Sequence, residues 1–432
     1  MSPAVRRWLD GSRQLAGNLA AQVGALASLA LATLLVARLD GAAGVGDLAV
    51  LRLLPWLVAV VLSGGLPGAV SFFLAGATRA DPRLAPTILA IVLAGGAVGA
   101  AVWVAGAPLV HALFLRDLAV GLVAWAALKV LSRLLVITAK ASAQGTLDLA
   151  GSNLVILLEE LCFLPAYAVG WLLGARGGAA VLVGLVLGDA VTLSIGWGRL
   201  TARGFWRGAG RPSAGLARRI VAFGTRAQVG SLMTLVNLRL DFLLLSALAG
   251  SAVLGTYAIA SRYAELLRLP QLAVYWVFYP RFARDGRAVA TARTRYLLPR
   301  LGLLTALAAV PLAAAAPLVI PLLYGEAFRP AVLAAQVLLV GLAGEGLGGV
   351  VVPYLYGTGR PGLNSLATGA GLAMTVALDL LLIPRYGLMG AAVASCVAYL
   401  TTTASLFACF RLLARSAPAE RAGPAPSEVG SR

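Results

Sequence analysis

The sequence predicts an all-α polytopic membrane protein with about 12 transmembrane helices, arranged as two six-helix bundles around a central cavity. Three observations lead there. Of 432 residues, 60% are hydrophobic and only 12% are charged, where a soluble domain carries about 25% charged residues. Twelve stretches are long enough to cross a hydrocarbon core, which takes roughly 20 residues of helix. The basic residues fall in alternate loops.

The first stretch, residues 14–37, follows Arg6, Arg7 and Arg13. It is too long for the apolar core of a signal peptide and leads straight into another span, so it is expected to be retained as the first helix. Residues 53–78 and 84–110 follow, both free of formal charge. The fourth to eighth spans, at 118–140, 149–175, 177–198, 220–249 and 252–280, each carry one or a few charges. Residues 301–325 and 386–410 are again charge-free and bracket two charged spans, 330–359 and 362–384. None of the twelve alternates with the period of 2 that a membrane barrel needs, which leaves helices as the spanning structure.

Twenty-three basic residues fall on one set of loops and tails, including six from Arg199 to Arg219 and six from Arg281 to Arg300. The opposite side holds only Arg38, Arg52, Arg116, Arg176, Arg329 and Arg385. The positive-inside rule then places both termini in the cytoplasm. The formal net charge of +18 is therefore a topology signal and an attraction to anionic headgroups, and no nucleic-acid partner is expected. Cys162, Cys396 and Cys409 sit inside spans at spacings that match no metal or redox motif, and the single histidine, His111, has no second ligand nearby. No metal and no cofactor are expected.

The chain is expected to divide into residues 1–198, a basic linker at 199–219, a second bundle at 220–413 and a disordered tail at 414–432. The linker mixes Arg203, Phe205, Trp206, Arg207 and Arg211, a composition suited to the membrane interface. A weak repeat supports the division. Leu39-Asp-Gly-Ala-Ala-Gly-Val-Gly46 aligns with Leu248-Ala-Gly-Ser-Ala-Val-Leu-Gly255 at a constant offset of 209. Six spans separate the copies, so both run in the same direction, as in repeats related by an axis along the membrane normal. Gly64 with Gly68, Gly184 with Gly188 and Gly344 with Gly348 permit close helix contact, while Pro55, Pro67, Pro270, Pro280 and Pro353 are candidate kinks.

Charges at membrane depth are costly and usually face a bundle interior or a wet cavity. They include Lys129 and Arg133; Glu159 and Glu160; Asp189; Arg226, Arg239 and Asp241; Arg262, Glu265 and Arg268; Glu345; and Asp379. Helical spacing puts Lys129 and Arg133 within about 40° of one another. Arg239, Asp241 and Arg262 lie roughly 14 to 18 Å from a turn near Gly250, at a common depth. Asp241 and Glu265 are candidate ion-pair partners. With Arg52, the cations Lys129, Arg133, Arg226, Arg239, Arg262 and Arg268 are candidates for a cavity that holds a phosphate, because guanidinium binds phosphate oxygens in bidentate fashion. Asp189, Glu345 and Asp379 are candidates for ion or proton coupling. The chain has no Gly-x-x-x-x-Gly-Lys motif and no Ser/His/Asp set, so transport rather than catalysis is expected.

Several stretches resemble the polysaccharide transporter group of the multidrug, oligosaccharidyl-lipid and polysaccharide flippase superfamily, which includes O-antigen flippases. In order, they are Arg239-Leu-Asp241, Leu254-Gly-Thr-Tyr-Ala-Ile-Ala-Ser-Arg262, Tyr279-Pro-Arg-Phe282, Leu323-Tyr-Gly-Glu-Ala-Phe328 and Leu382-Ile-Pro-Arg-Tyr-Gly-Leu-Met-Gly-Ala-Ala-Val393. Ala37-Arg-Leu-Asp-Gly41 and Gly65-Leu-Pro-Gly68 carry a looser likeness in the first half. The resemblance implies two bundles, alternating access and a substrate such as an undecaprenyl-diphosphate-linked oligosaccharide, moved across a bacterial cytoplasmic membrane. Membrane lipids, a glycan polymerase and glycosyltransferases are the partners it implies. A cation-coupled multidrug exporter and a peptidoglycan lipid-precursor flippase are the alternatives.

Overall fold

The computed structural model describes residues 3–76, 80–268, 282 and 287–415, with the side chains of 3–16, 226–227, 229–238 and 361 not included. Pro270, Pro280, residues 416–432 of the expected tail and the side chain of the candidate Arg226 therefore lie outside the described residues. Among the described residues the regular structure is entirely helical, the form that satisfies every backbone N–H and C=O within its own segment in lipid. Eight segments are long and apolar enough to cross a membrane. Two of them, Gly17–Ser63 with 47 residues and Gly362–Arg415 with 54, hold two expected spans each.

The first pair is joined through helix α1 (Pro3–Ser63), which turns at Gly41, with φ 67° and ψ −159°. The last pair is joined through α14 (Pro361–Arg415), which turns at Gly387, with φ 50° and ψ −122°, three residues after Pro384. Those backbone angles are open to glycine and costly for residues that carry a Cβ. Other spans expected to be continuous are broken. The second pauses at Gly64 and Gly65 and resumes as α2 (Leu66–Ala75), with Pro67 in its first turn. The fourth comprises α4 (Val120–Trp125) and α5 (Ala127–Gly145), and the fifth α6 (Leu149–Leu161) and α7 (Phe163–Leu172). The remaining helices of the first half are α3 (Leu84–Phe114), α8 (Gly177–Ala202), α9 (Ala214–Ala249) and α10 (Ser251–Glu265). After α11 (Arg287–Tyr324), the tenth span divides into α12 (Pro330–Gly348) and α13 (Val351–Gly357).

The chain forms two compact units, Met1–Ala258 with Leu323–Ala327, and Ile259–Leu322 with Phe328–Arg432. The boundary between these units falls after Ala258, and α9 packs on α2 and α3 of the first unit. At the centre of that unit is α5, which is buried on most of its circumference and touched by α1, α2, α3, α6 and α8. In the second unit α14 packs along α12 and α13, around Val351, Tyr354, Leu355 and Phe410. Outer faces are apolar and exposed, as on α11 at Leu303, Leu307, Val310 and Leu318. A continuous apolar exterior of this kind is suited to lipid and not to water.

The two copies of the sequence repeat meet within the first unit. A Cβ added to Gly46 would stand 1.8 Å from the Ser251 carbonyl oxygen, and one added to Gly255 would stand 1.9 Å from the Ala42 carbonyl oxygen. Gly46 corresponds to Gly255 and Ala42 to Ser251 at the repeat offset of 209, so the contact is reciprocal. Each copy presents a glycine to the backbone of the other. At Gly184 and Gly188 the same principle brings α8 onto the α6–α7 elbow, since a Cβ on Gly188 would lie 3.1 Å from the Phe163 nitrogen.

Asp148 fixes the turn between α5 and α6. Its Oδ1 accepts the Gly151 N–H at 3.0 Å and the Arg199 Nη2 at 3.0 Å, and its Oδ2 accepts the Arg199 Nε at 2.7 Å. The carboxylate thus caps α6 and ties it to α8 with a two-pronged ion pair. The Arg199 guanidinium, helped by the Gly151 N–H, holds the Asp148 carboxyl below its ordinary pKa.

Gly46→Ala and Gly255→Ala are each expected to destabilise the purified protein by about 1–3 kcal/mol, read as a lower Tm. Gly68→Ala, whose added Cβ meets nothing within 4 Å, is the neutral control. Because folding depresses the Asp148 pKa, its contribution is complete above the unfolded value of about 3.9 and is lost as the pH falls through the folded value. Asp148→Asn should therefore melt below wild type at pH 7. The gap should close as the pH is lowered below about 4.

Candidate functional site

Four helices of the first unit bring six charged side chains into one layer, with Lys129 and Asp189 buried and the other four half-buried. On α5, Lys129 and Arg133 lie one turn apart. The Lys129 Nζ donates to the Asp189 Oδ2 of α8 at 2.6 Å, and the Ser132 hydroxyl donates to the same oxygen. Arg133 pairs with Glu159 on α6, and the Arg52 Nη1 on α1 meets the Glu160 Oε2 at 2.7 Å. Arg52 also lies 5.3 Å from the centre of the Phe163 ring. The pairs form one network, since Arg133 is within electrostatic reach of Asp189 and Glu160, and Lys129 of Arg52.

The helix breaks assemble this layer. Glu159 and Glu160 occupy the last turn of α6, next to the elbow at Cys162. Gly188 lets α8 approach that elbow, and the following residue, Asp189, is thereby carried to α5. Three cations meet three carboxylates, which is the condition for keeping ionic groups at membrane depth. The Lys129 and Asp189 side chains are only 7% and 2% exposed, so neither has water to replace its partner. Arg133 Nε is buried without a hydrogen-bond acceptor, which leaves one donor of the layer unused.

A second set follows α9 and α10. The Arg239 guanidinium lies 5.3 Å from the Phe242 ring centre. Buried Asp241 accepts the Tyr257 hydroxyl at 2.8 Å and the Phe242 N–H at 2.9 Å. Arg262 and Glu265 are half-buried on α10. Within the second unit, Arg268 in the 3₁₀ turn Leu266–Arg268 donates its Nε and Nη2 to the Glu345 Oε2 at 3.1 and 2.9 Å, and lies 5.1 Å from the Tyr399 ring centre. Asp379 is fully buried on α14.

The structure thus gathers Arg52, Lys129, Arg133 and Asp189 into one place. Asp189 and Glu345, candidates for coupling, serve as counter-ions to Lys129 and Arg268. Sequence reasoning marked Glu159 and Glu160 as intramembrane charges without assigning them, and missed Ser132, Tyr257 and Tyr399 as partners. The spacing of Ser132 from Lys129 was a legible signal, since residues three apart share a helix face. Tyr257 and Tyr399 reach their partners through tertiary packing that no local pattern announces. Among the described residues no group of three or more His, Cys, Asp or Glu is placed to hold a metal ion.

The sequence profile of the family described as "Polysaccharide biosynthesis protein" matches residues 35–333. No curated protein sequence matches the chain. Among solved structures, an inward-facing multidrug resistance MATE family transporter of the MOP superfamily superposes with a TM-score of 0.71 at 17% identity, over 91% of this chain and 95% of that one. The lipid II flippase MurJ, in an inward closed conformation, gives 0.65 at 13% identity, over 92% and 87%. A MOP superfamily transporter from Pyrococcus furiosus, described by a binding pocket of reverse polarity, gives 0.55 at 15% identity, over 90% and 95%. At these identities the likeness is one of fold.

Removing one member of the Lys129–Asp189 pair strands a buried charge, at a cost of about 3–5 kcal/mol, whereas replacing both by apolar groups avoids that cost. Lys129→Ala should lower the yield and Tm of the membrane-inserted protein. The double variant Lys129→Met with Asp189→Leu should recover most of the loss.

Proposed function

The chain belongs to the polysaccharide biosynthesis protein family and has the polytopic fold of MOP superfamily transporters, and we propose that it is a flippase for a lipid-linked oligosaccharide. The family match over residues 35–333 is the observation that carries this reading. The substrate is an amphiphile with a diphosphate between lipid and sugar, such as an undecaprenyl-diphosphate-linked repeat unit. It crosses a bacterial cytoplasmic membrane for cell-surface polysaccharide synthesis, with both termini of the protein in the cytoplasm.

The charged layer gives the proposal its mechanism. Arg52, Lys129 and Arg133 of the layer each already have a carboxylate partner, so a diphosphate enters by exchange. Phosphate oxygens replace Glu160 on Arg52 or Glu159 on Arg133, and the unused Arg133 Nε is available to donate to them. Exchange keeps each arginine compensated before, during and after passage, where a permanently bare cationic cavity would incur the full desolvation cost. Arg239 of the first unit, and Arg262 and Arg268 of the second, are further phosphate ligands in this reading. Glycosyltransferases and a polymerase supply and consume the lipid-linked unit on either side of the membrane.

Deleting the gene in a strain without a redundant homologue should abolish the surface polymer and accumulate its lipid-linked repeat unit on the cytoplasmic side. An unchanged glycan profile, together with gained sensitivity to cationic drugs, would overturn the reading in favour of a multidrug exporter. Arg52→Ala should reduce flipping at least tenfold at equal membrane abundance, while Glu160→Gln, which removes the competing counter-ion, should retain substrate binding. Arg239→Ala and Arg262→Ala are expected to reduce flipping while leaving insertion intact. Normal transport in both would remove those arginines from the path.

A further inference from the structure

The linker after α8 does not hang free. It folds back onto the turn before α3, where the Gly210 N–H donates to the Pro82 carbonyl at 2.8 Å and the Ser213 N–H to the Thr87 hydroxyl at 3.0 Å. Between linker and turn lies a cleft of about 450 Å³, lined by Asp81, Thr146, Asp148, Arg203, Phe205 and Arg207, among others. Gly204 and Gly208, with φ of 79° and 70°, bend the linker around its rim.

The charges of this cleft are unequally satisfied. Asp148 is saturated by Arg199 and the Gly151 N–H, and Asp81 pairs with Arg83 at 3.7 Å. Arg203 is paired through its Nε, at 3.2 Å from the Asp148 Oδ2, and among the described residues the Arg207 side chain makes no ion pair or hydrogen bond. Two guanidinium groups are thus held at the rim with most of their donors unused, in a place where the carboxylates are already spoken for. Guanidinium with free paired N–H groups is the side chain best matched to phosphate oxygens.

The level of the cleft identifies the source of the phosphate. It sits where the apolar helices α8 and α3 end and begin, at Ala202 and Leu84, and such ends coincide with the headgroup layer. Beside it is an aromatic shelf. Trp197 and Trp206 stack with ring centres 5.9 Å apart, Phe205 meets Trp206 edge-on at 4.9 Å, and the Trp206 indole N–H donates to the Thr201 hydroxyl at 2.9 Å. Amphipathic rings of this kind settle at the boundary between acyl chains and headgroups. We propose that the cleft is a binding site for the anionic phosphodiester headgroup of a bilayer phospholipid, with Arg203 and Arg207 as its phosphate ligands. The bound lipid pins the linker to the α3 turn. The site lies wholly within the first unit and does not rest on the flippase reading.

The test uses the full chain, delipidated in detergent and returned to nanodiscs of phosphatidylcholine with a minor fraction of phosphatidylglycerol, with retained lipid counted by mass spectrometry of the intact protein. Wild type should enrich phosphatidylglycerol. Arg207→Gln should lower that enrichment about fivefold, the scale of one basic residue at an anionic surface. Arg203→Gln with Arg207→Gln should abolish it. The pair Arg295→Gln with Arg300→Gln, which removes the same charge from α11, should leave the enrichment intact. Equal loss in this control pair would overturn the site in favour of diffuse charge attraction. Unchanged enrichment in Arg207→Gln, which loses no partner among the described residues, would overturn it outright. Stabilisation of delipidated protein by inorganic phosphate alone, to the same degree as by phosphatidylglycerol, would overturn the lipid assignment and mark a soluble phosphate site.

Discussion

A charge carried into hydrocarbon has to be neutralised within a few ångströms, and the Lys129–Asp189 contact at 2.6 Å is where this protein meets that demand most completely. Its consequences extend through the first unit. Because Lys129 lies on the most enclosed helix, α8 must approach α5 closely, and small residues along α8 make the approach possible. Arg133 and Arg52 then draw the end of α6 and the second half of α1 to the same level. Hydrophobic packing alone gives weak orientation between helices in lipid, since the tails are as apolar as the side chains. Here the ion pairs supply much of the specificity that water supplies in a soluble bundle.

Broken helices are the second recurrent device. The interruptions near Ala126, Cys162 and Gly349 each fall within four residues of an ion-paired charge, at Lys129, Glu160 and Glu345. A break redirects a side chain without displacing the rest of the span, and it is tolerated inside a protein bundle where neighbouring groups resatisfy the backbone. The reciprocal contact of Gly46 and Gly255 adds a further constraint, since both copies of the repeat sacrifice a side chain at the same position. Packing backbone against backbone in this way creates a contact that either forms fully or separates.

The proposed exchange of carboxylate for phosphate and the proposed lipid cleft at the linker share one chemical logic. The planar fork of guanidinium matches a carboxylate and a phosphate alike. In the charged layer the carboxylates are close and paired one to one. At the linker the carboxylates are satisfied elsewhere, and Arg203 and Arg207 keep their donors for an external ligand. The same residue type thus has opposite availability at two depths, according to what surrounds it.

Much of this protein was legible in its amino-acid sequence. Composition and span length determined an all-helical membrane protein, because the cost of unsatisfied backbone in lipid admits few alternatives. The gap between the first two expected spans contains the turn at Gly41, Pro67 was a candidate kink beside the break at Gly65, and the rarity of intramembrane charge singled out Lys129, Arg133, Glu159, Glu160 and Asp189. Pairing was decided only by the tertiary structure. Nothing in the order of residues says that Lys129 meets Asp189 sixty positions away, that Arg268 meets Glu345, or that Tyr257 holds Asp241. The breaks within the fourth, fifth and tenth spans were equally hidden, since hydropathy is uniform across them. The physical reason is that burial is a property of a residue and its spacing, which the sequence records, while a partner depends on how separate helices are brought together in three dimensions.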